Sequence, residues 1–257
     1  MKEKQGIINL YKRIGETPKE RLERFKKENP LYADATLSYA GRLDPMAEGV
    51  LLVLVDEENK KRAQYLSFTK DYVCEILWGF STDTYDILGI MRSTPFSFPE
   101  TFDVLVEEEV KKLHDETHQH FPAYSSKPVL GKPLFQWARE GKINEIEIPL
   151  KDIHVENAYV VSHNAMHGKV LLSAIEEKIS KISGNFRQDD IVREWRKTLA
   201  GKEGETFRTT SVFFSVTSGT YIRGLVHLLG QNLACGGTIL SLTRTRVGEY
   251  AIDNALL

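Results

Sequence analysis

The stretch Gly41-Arg42-Leu43-Asp44-Pro45-Met46-Ala47-Glu48-Gly49, running into Val50-Leu51-Leu52-Val53-Leu54-Val55, decides how the rest of the chain is read. An acid stands in a glycine-bounded loop immediately before an apolar run with the look of a buried strand. Pro45 has a fixed φ and restricts Asp44 to extended conformations. Gly41 and Gly49 permit backbone angles or close approaches closed to other residues. A loop built this way holds a carboxylate in one orientation. That carboxylate has three uses: nucleophile, general base or acceptor within a turn. Asp before Pro commonly initiates turns, so residue chemistry alone favours the third.

Outward from this loop, strands and helices alternate irregularly. Residues 6–11 read as a short strand. Thr17-Pro18-Lys19-Glu20 has the chemistry of a helix start: a Thr cap, Pro at the first helical position and Glu completing a capping box. Leu22 and Phe25 give that helix an apolar stripe, and Asn29-Pro30 ends it. Residues 31–49 show no clean period and read as loop. A helix is expected over 60–68, a strand over 72–80, turns over 81–99 and a helix over 104–114. The stretch 121–149 is mixed. Strands are expected over 152–161 and 168–172. Two helical patterns follow between Ala174 and Ala200, anchored on Ile175, Ile179 and Ile182, then on Ile191, Val192, Trp195 and Leu199. Residues 207–216 alternate as a strand, 220–233 form an amphipathic helix, and a last strand or two finishes the chain. Interspersed elements of this kind make an α+β or mixed α/β fold.

The 257 residues are 41% hydrophobic and 27% charged, an ordinary globular composition. The apolar run 50–55 is far too short to span a bilayer. The charged Met1-Lys2-Glu3-Lys4-Gln5 run has no signal-peptide core. Two cysteines, Cys74 and Cys235, make neither a disulfide framework nor a zinc site, and a cytoplasmic protein is expected. The net charge of −2 argues mildly against a nucleic-acid binder. Yet Lys12, Arg13, Lys19, Arg21, Arg24, Lys26 and Lys27 crowd the N-terminal region. Lys60, Lys61, Arg62 and Lys70 form a second basic group, and Arg244 and Arg246 a third. Composition alone reads these as solvated faces.

A second constellation is Ser218-Gly219-Thr220-Tyr221-Ile222-Arg223-Gly224. Arg223 in the first turn of a helix opposes the helix dipole. A buried carboxylate would compensate it; a solvated surface Arg is the alternative. Tyr72 opens a strand and reads by default as packing. Asp83 and Asp86, in Ser81-Thr82-Asp83-Thr84-Tyr85-Asp86, read as Asx-turn acceptors rather than metal ligands. His114, His118 and His120 have metal-like spacing without a nearby cysteine, and no metal is expected.

Taken together these segments resemble the bacterial tRNA pseudouridine-55 synthase family. GRLDPMAEGVL, from Gly41 to Leu51, is similar to the family's Leu-Asp-Pro block. GTYIRG, from Gly219 to Gly224, resembles its Gly-Thr-Tyr-Ile-Arg run. KDY ending at Tyr72, STDTYD from Ser81 to Asp86, PAYSSKPVLGKPLFQWAREG from Pro122 to Gly141 and SLTRTRVGEY from Ser241 to Tyr250 match further blocks in order. Several weak motifs in the right order make chance an unattractive explanation.

The resemblance implies the α+β pseudouridine-synthase fold, a central mixed, largely antiparallel sheet flanked by helices, with the cleft across its middle. It implies a nucleophilic role for Asp44, an ion pair from Arg223 to Asp44, and stacking of Tyr72 on the target base with a part in proton removal. Tyr221 and Leu242 would line the pocket, Asp86 would contribute to substrate binding, and Lys12 would support the pocket floor. The uridine would flip out of a tRNA T-loop into the pocket, with no cofactor or metal. The basic N-terminal helix would lie along RNA phosphates. A cytoplasmic monomer with no obligate protein partner is expected.

Three departures from the family stand out. Tyr39 takes the position of a His that fills space left by flipped bases; Tyr can still stack there. Residues 162–210 are longer than the family's short connection, as a helical insertion in one catalytic domain spanning 1–257. The family's small C-terminal RNA-binding PUA domain is expected to be absent. An RNA-binding or RNA-folding module with reduced catalysis, or the same chemistry on another RNA, are the alternative readings.

Overall fold

Eight strands form the main sheet of this computed structural model, which describes residues 4–93 and 96–257. They are β1 (Ile7–Lys12), β2 (Leu37–Ala40), β3 (Ala47–Val55), β4 (Lys70–Trp78), β5 (Val155–His167), β6 (Thr206–Val216), β7 (Gly237–Val247) and β8 (Tyr250–Ala251). The order across the sheet is β1-β3-β7-β4-β6-β5, with β2 also on β3 and β8 on β7. Every pairing is antiparallel except β3 with β7, which run parallel over Ala47–Gly49. The mixed, largely antiparallel α+β sheet is therefore present. Residues 1–3 of the charged N-terminal run, and 94 and 95 of the turn-rich stretch, lie outside the described residues.

The strand β3 follows the Asp44 loop and is buried at every residue but Glu48. Such a near-continuous apolar run needs cover on both sheet faces, and the helices supply it. On one face, α1 (Pro18–Glu28) packs Leu22 and Phe25 against Ile8, Leu10, Leu51 and Val53. Its start is the capping box at Thr17 and Glu20. Strand β4 alternates as period two requires. Cys74, Ile76 and Trp78 face α3 (Phe102–Lys112) and α7 (Ile222–Asn232). Leu77 faces the other way, toward α5 (Gly168–Ser180) and α6 (Gln188–Leu199). Two short helices, α2 (Arg62–Ser67) and α4 (Leu134–Arg139), flank the site described below. No helix among the described residues is long and apolar enough to cross a membrane.

Two expectations are corrected. Residues 168–172 are not a strand but the first turns of α5. The Val and Leu content suggested a strand, yet Leu171, Ile175 and Ile179 share one buried face at helical spacing. Residues 31–49 are not all loop, because β2 pairs with β3 from Leu37↔Val55 to Ala40↔Leu52. A four-residue strand is too short to show a period. The helical part of the long connection is also narrower than 162–210. Residues 162–167 and 206–210 are the paired ends of β5 and β6, and α5 and α6 sit at the tip of that hairpin.

Candidate active site

The Asp44 loop folds back on itself through the backbone. Ala47 N–H donates to the Asp44 carbonyl at 3.0 Å, and Gly15 N–H to the Pro45 carbonyl at 3.0 Å. The turn thus uses the main chain of Asp44 and leaves its carboxylate free. Gly41 and Gly49 have φ of 91° and 105°. A Cβ on Gly49 would lie 2.2 Å from the Arg244 carbonyl oxygen, so only glycine fits. Arg244, buried on β7, fastens this loop to the sheet. Its Nε donates to the Val50 carbonyl at 2.8 Å, and Nη1 and Nη2 to those of Arg42 and Gly41, each at 3.2 Å.

Arg223 arrives from the first turn of α7. Tyr221 stands at the cap position, where Gln119 bonds both of its backbone groups. Its Oε1 accepts from Tyr221 N–H at 2.9 Å and its Nε2 donates to the Tyr221 carbonyl at 3.0 Å. The Arg223 Nε donates to Asp44 Oδ2 at 2.8 Å, Nη1 to the Thr84 carbonyl at 2.8 Å and Nη2 to the Tyr124 carbonyl at 3.3 Å. Asp86 Oδ2 lies 3.8 Å from Nε. Burial works against the Arg223 charge, but the Asp44 and Asp86 carboxylates outweigh it and raise its pKa. These acids also offset the unfavourable dipole end. The two acids differ in exposure: the Asp44 side chain is 41% exposed, that of Asp86 only 8%.

Burial pushes the Asp86 carboxyl up to about 6 against the pull of Arg223 and of the Thr84 hydroxyl. That hydroxyl donates to Asp86 Oδ1 at 2.7 Å, and Leu88 N–H does so at 3.0 Å. The Leu88 contact is the Asx type expected of a turn, and the Thr84 contact joins two side chains. Burial, then the Asp44 charge, raises the Tyr221 phenol.

These groups surround a cavity of about 750 Å³ over the middle of the sheet, where β3, β7 and β4 are neighbours. Asp44, Tyr72, Asp86, Tyr221, Arg223 and Leu242 all line it. Lys12 and Tyr39 do not. Lys12 is buried beneath the loop, its Nζ donating to the Glu16 carbonyl at 2.7 Å and the Arg13 carbonyl at 3.0 Å. Burial lowers its pKa to about 8. Tyr39 packs on the α1 side, against the cluster of Ile8, Phe25 and Val53.

The basic groups are likewise not uniformly solvated. Lys60 and Lys61 are exposed and paired with Glu57 and Glu58. Lys12, Arg21, Lys70 and Arg244 are buried. Each of the four donates to main-chain carbonyls, which a lysine or arginine read as part of a charge run does not advertise. His114 and His120 hydrogen-bond the Val155 and Ile148 carbonyls, and His118 faces Asp152.

Sequence reading gave no site role to Arg244, named only within a basic group, nor to the cavity wall made by Tyr124 and the α5–α6 loop, Asn185, Phe186 and Arg187. Arg244 had a usable signal: it stands two residues after Leu242 on a strand, hence on the same face. The wall had none, because residues distant in sequence meet there.

Comparison with known proteins gives a consistent result. The family model for "TruB family pseudouridylate synthase (N terminal domain)" matches residues 31–181. A tRNA pseudouridine synthase B of Nitratidesulfovibrio vulgaris is 30% identical over 255 residues, covering 98% of this chain and 67% of that protein. The one of Malacoplasma penetrans is 26% identical, covering 87% of this chain and 78% of that protein. Among solved structures, a chain of a Cbf5-Nop10-Gar1 complex aligns with a TM-score of 0.56 at 21% identity, over 96% of this chain and 50% of that one. At that identity the likeness concerns the fold. The chain spans about two thirds of the first relative and half of the structural neighbour.

Proposed function

The chain belongs to the TruB family of pseudouridylate synthases, and from that premise we propose that it converts a tRNA uridine, at position 55 in the T-loop, to pseudouridine with Asp44 as nucleophile. The observation that carries the proposal is the 2.8 Å contact of Arg223 with Asp44 at a cavity wall, with the acid still accessible. An oriented and reachable carboxylate is what a nucleophile requires.

The conversion exchanges one bond for another. The N1–C1′ bond breaks and a C5–C1′ bond forms, while C5 loses a proton and N1 gains one. No electrons are gained or lost, so the chemistry calls for no redox cofactor. A stacked base is out of reach, so the uridine flips into the cavity. Tyr72 stacks on it and takes part in removing the C5 proton. Tyr221 and Leu242 bound the base, and Arg223 aims Asp44. Asp86 acts behind Arg223 rather than on the base, since its side chain is buried, Oδ1 is held by Thr84 and Leu88, and Oδ2 faces Arg223. Lys12 supports the loop from below. Tyr39 packs against the α1 core and acts on the base at most through that packing. Thr17 and Pro18 border the cavity, which brings the exposed basic side of α1 to RNA phosphates. The proposal places this activity in the cytoplasm, in a monomer with no obligate protein partner.

The test is release of tritium from C5-labelled uridine in an unmodified tRNA transcript. Wild type should release it from the T-loop uridine alone, and Asp44→Asn should release none. Binding without release by either protein would replace this reading with an RNA-binding module. Release from ribosomal RNA and not from tRNA would move the same chemistry to another substrate.

A further inference from the structure

We propose that Arg187, in the loop between α5 and α6, is a positioning residue for the Arg223–Asp44 pair; the role assigned to that pair rests on the uridine-isomerising reading above. Two of the acceptors that hold Arg223 are main-chain carbonyls on separate loops, those of Thr84 and Tyr124. Arg187 grips both loops through their side chains. Its Nη1 donates to Asp83 Oδ2 at 2.7 Å and its Nη2 to Asp83 Oδ1 at 3.2 Å, a two-point fork. Its Cζ lies 4.7 Å from the centroid of the Tyr124 ring. Asp83 immediately precedes Thr84, and its Oδ1 also accepts from Ile90 N–H at 2.8 Å, closing the turn. One guanidinium therefore ties together the two carbonyls that aim another.

The loop is built to keep Arg187 there. Arg187 has φ of 65°, in the left-handed region that non-glycine residues rarely occupy. Such a conformation persists only where its surroundings over-determine it. Gln188 accepts from Phe186 N–H at 2.8 Å through Oε1 and donates to the Gly184 carbonyl at 2.7 Å through Nε2. Arg139 Nη2 donates to the Asn185 carbonyl at 2.8 Å. An RNA phosphate contact is the competing use of a cavity-lining arginine. Both terminal nitrogens of Arg187 are already engaged by Asp83, which favours positioning. The inserted helices thus act on the active site through this loop, besides covering a sheet face.

The experiment compares wild type, Arg187→Ala, Arg187→Lys, Asp83→Asn and the Arg187→Ala/Asp83→Asn double variant. Three quantities are read: the single-turnover rate on tRNA, the tRNA Kd, and hydrogen exchange at the Arg223 Nε–H by NMR of the ¹⁵N-labelled protein. Arg187→Ala and Asp83→Asn should each slow turnover by about tenfold to a hundredfold, the range expected for misplacement of a reacting group. Kd should stay within about twofold, the double variant should be no slower than the worse single, and Arg187→Lys should recover part of the rate. Exchange at Arg223 should accelerate in Arg187→Ala. Wild-type turnover and wild-type exchange in Asp83→Asn and Arg187→Lys would overturn the proposal, even where Arg187→Ala fails to fold. Weakened tRNA binding at an unchanged rate would overturn it too and make Arg187 an RNA contact. A wild type inactive on tRNA would defeat the functional reading instead, leaving Arg223 exchange to decide the link from Arg187.

Discussion

The loop from Gly41 to Gly49 and the turn from Thr82 to Ile90 each bring an acid to Arg223, and the two acids are placed in opposite ways. Asp44 is 41% exposed and makes the short 2.8 Å contact; Asp86 is 8% exposed and stands at 3.8 Å. The Asp44 loop satisfies its turn with backbone atoms and presents its carboxylate to the cavity. The Asp86 turn takes up one carboxylate oxygen, Oδ1, with Thr84 and Leu88, and leaves Oδ2 toward Arg223. Both are acids in short loops beside one arginine, so residue type does not distinguish them. What differs is which atoms of each acid the turn consumes.

Exchanging carboxylate for amide at each acid in turn should break the comparison most sharply. Asp44→Asn should lower the single-turnover rate on tRNA at least about a thousandfold, since the nucleophile is lost. Asp86→Asn should lower it less than about tenfold. Equal losses at both positions would mean that the two acids serve turnover alike.

The second effect concerns pH. The Asp86 carboxyl has its folded pKa raised to about 6 from 3.8 by burial. The folded state therefore holds this proton to higher pH than the unfolded chain does. The associated stability is fully present below about pH 4 and is lost as pH rises through 6. A difference of about two pH units corresponds to about 3 kcal/mol. Urea unfolding of wild type and Asp86→Asn at pH 4, 5, 6 and 7 should show the wild type losing that much relative to the variant. Parallel curves would mean that Arg223 fully offsets the burial.

The smallest effect sharpens the picture of the turn. Thr84→Val removes a hydroxyl that serves Asp86 while keeping the carbonyl that serves Arg223. It should cost about 1 kcal/mol of stability at pH 7 and leave turnover within about threefold of wild type. A large loss of rate with stability intact would show that the hydroxyl itself reaches the substrate.

Much of this was legible in the residues. The Thr17–Glu20 capping box starts α1, because capping is a local event among four consecutive residues. The conflict of Arg223 with its helix dipole left two readings, a compensating carboxylate or a solvated surface Arg, and the structure shows the first. Long amphipathic patterns, such as Ile191, Trp195 and Leu199, marked α6. Where the signal was short or mixed the reading slipped, as with the four-residue β2 and the Val–Leu start of α5.

By itself, then, the sequence determined the local elements, the glycine-bounded Asp44 loop, the helix start at Arg223 and the family to which these blocks belong. The elements and loops depend on neighbours a few residues apart, and the family on the order of such local blocks along the chain. Only the tertiary structure decided that Arg21, Lys70 and Arg244 are buried props, that Tyr39 faces the α1 core and not the cavity, and that Arg187 reaches Asp83 and Tyr124. These choices depend on which side chains are enclosed when β3, β7 and β4 become neighbours and the β5–β6 hairpin folds its helices against them. Burial and long-range proximity belong to the assembled sheet and not to any one of its strands.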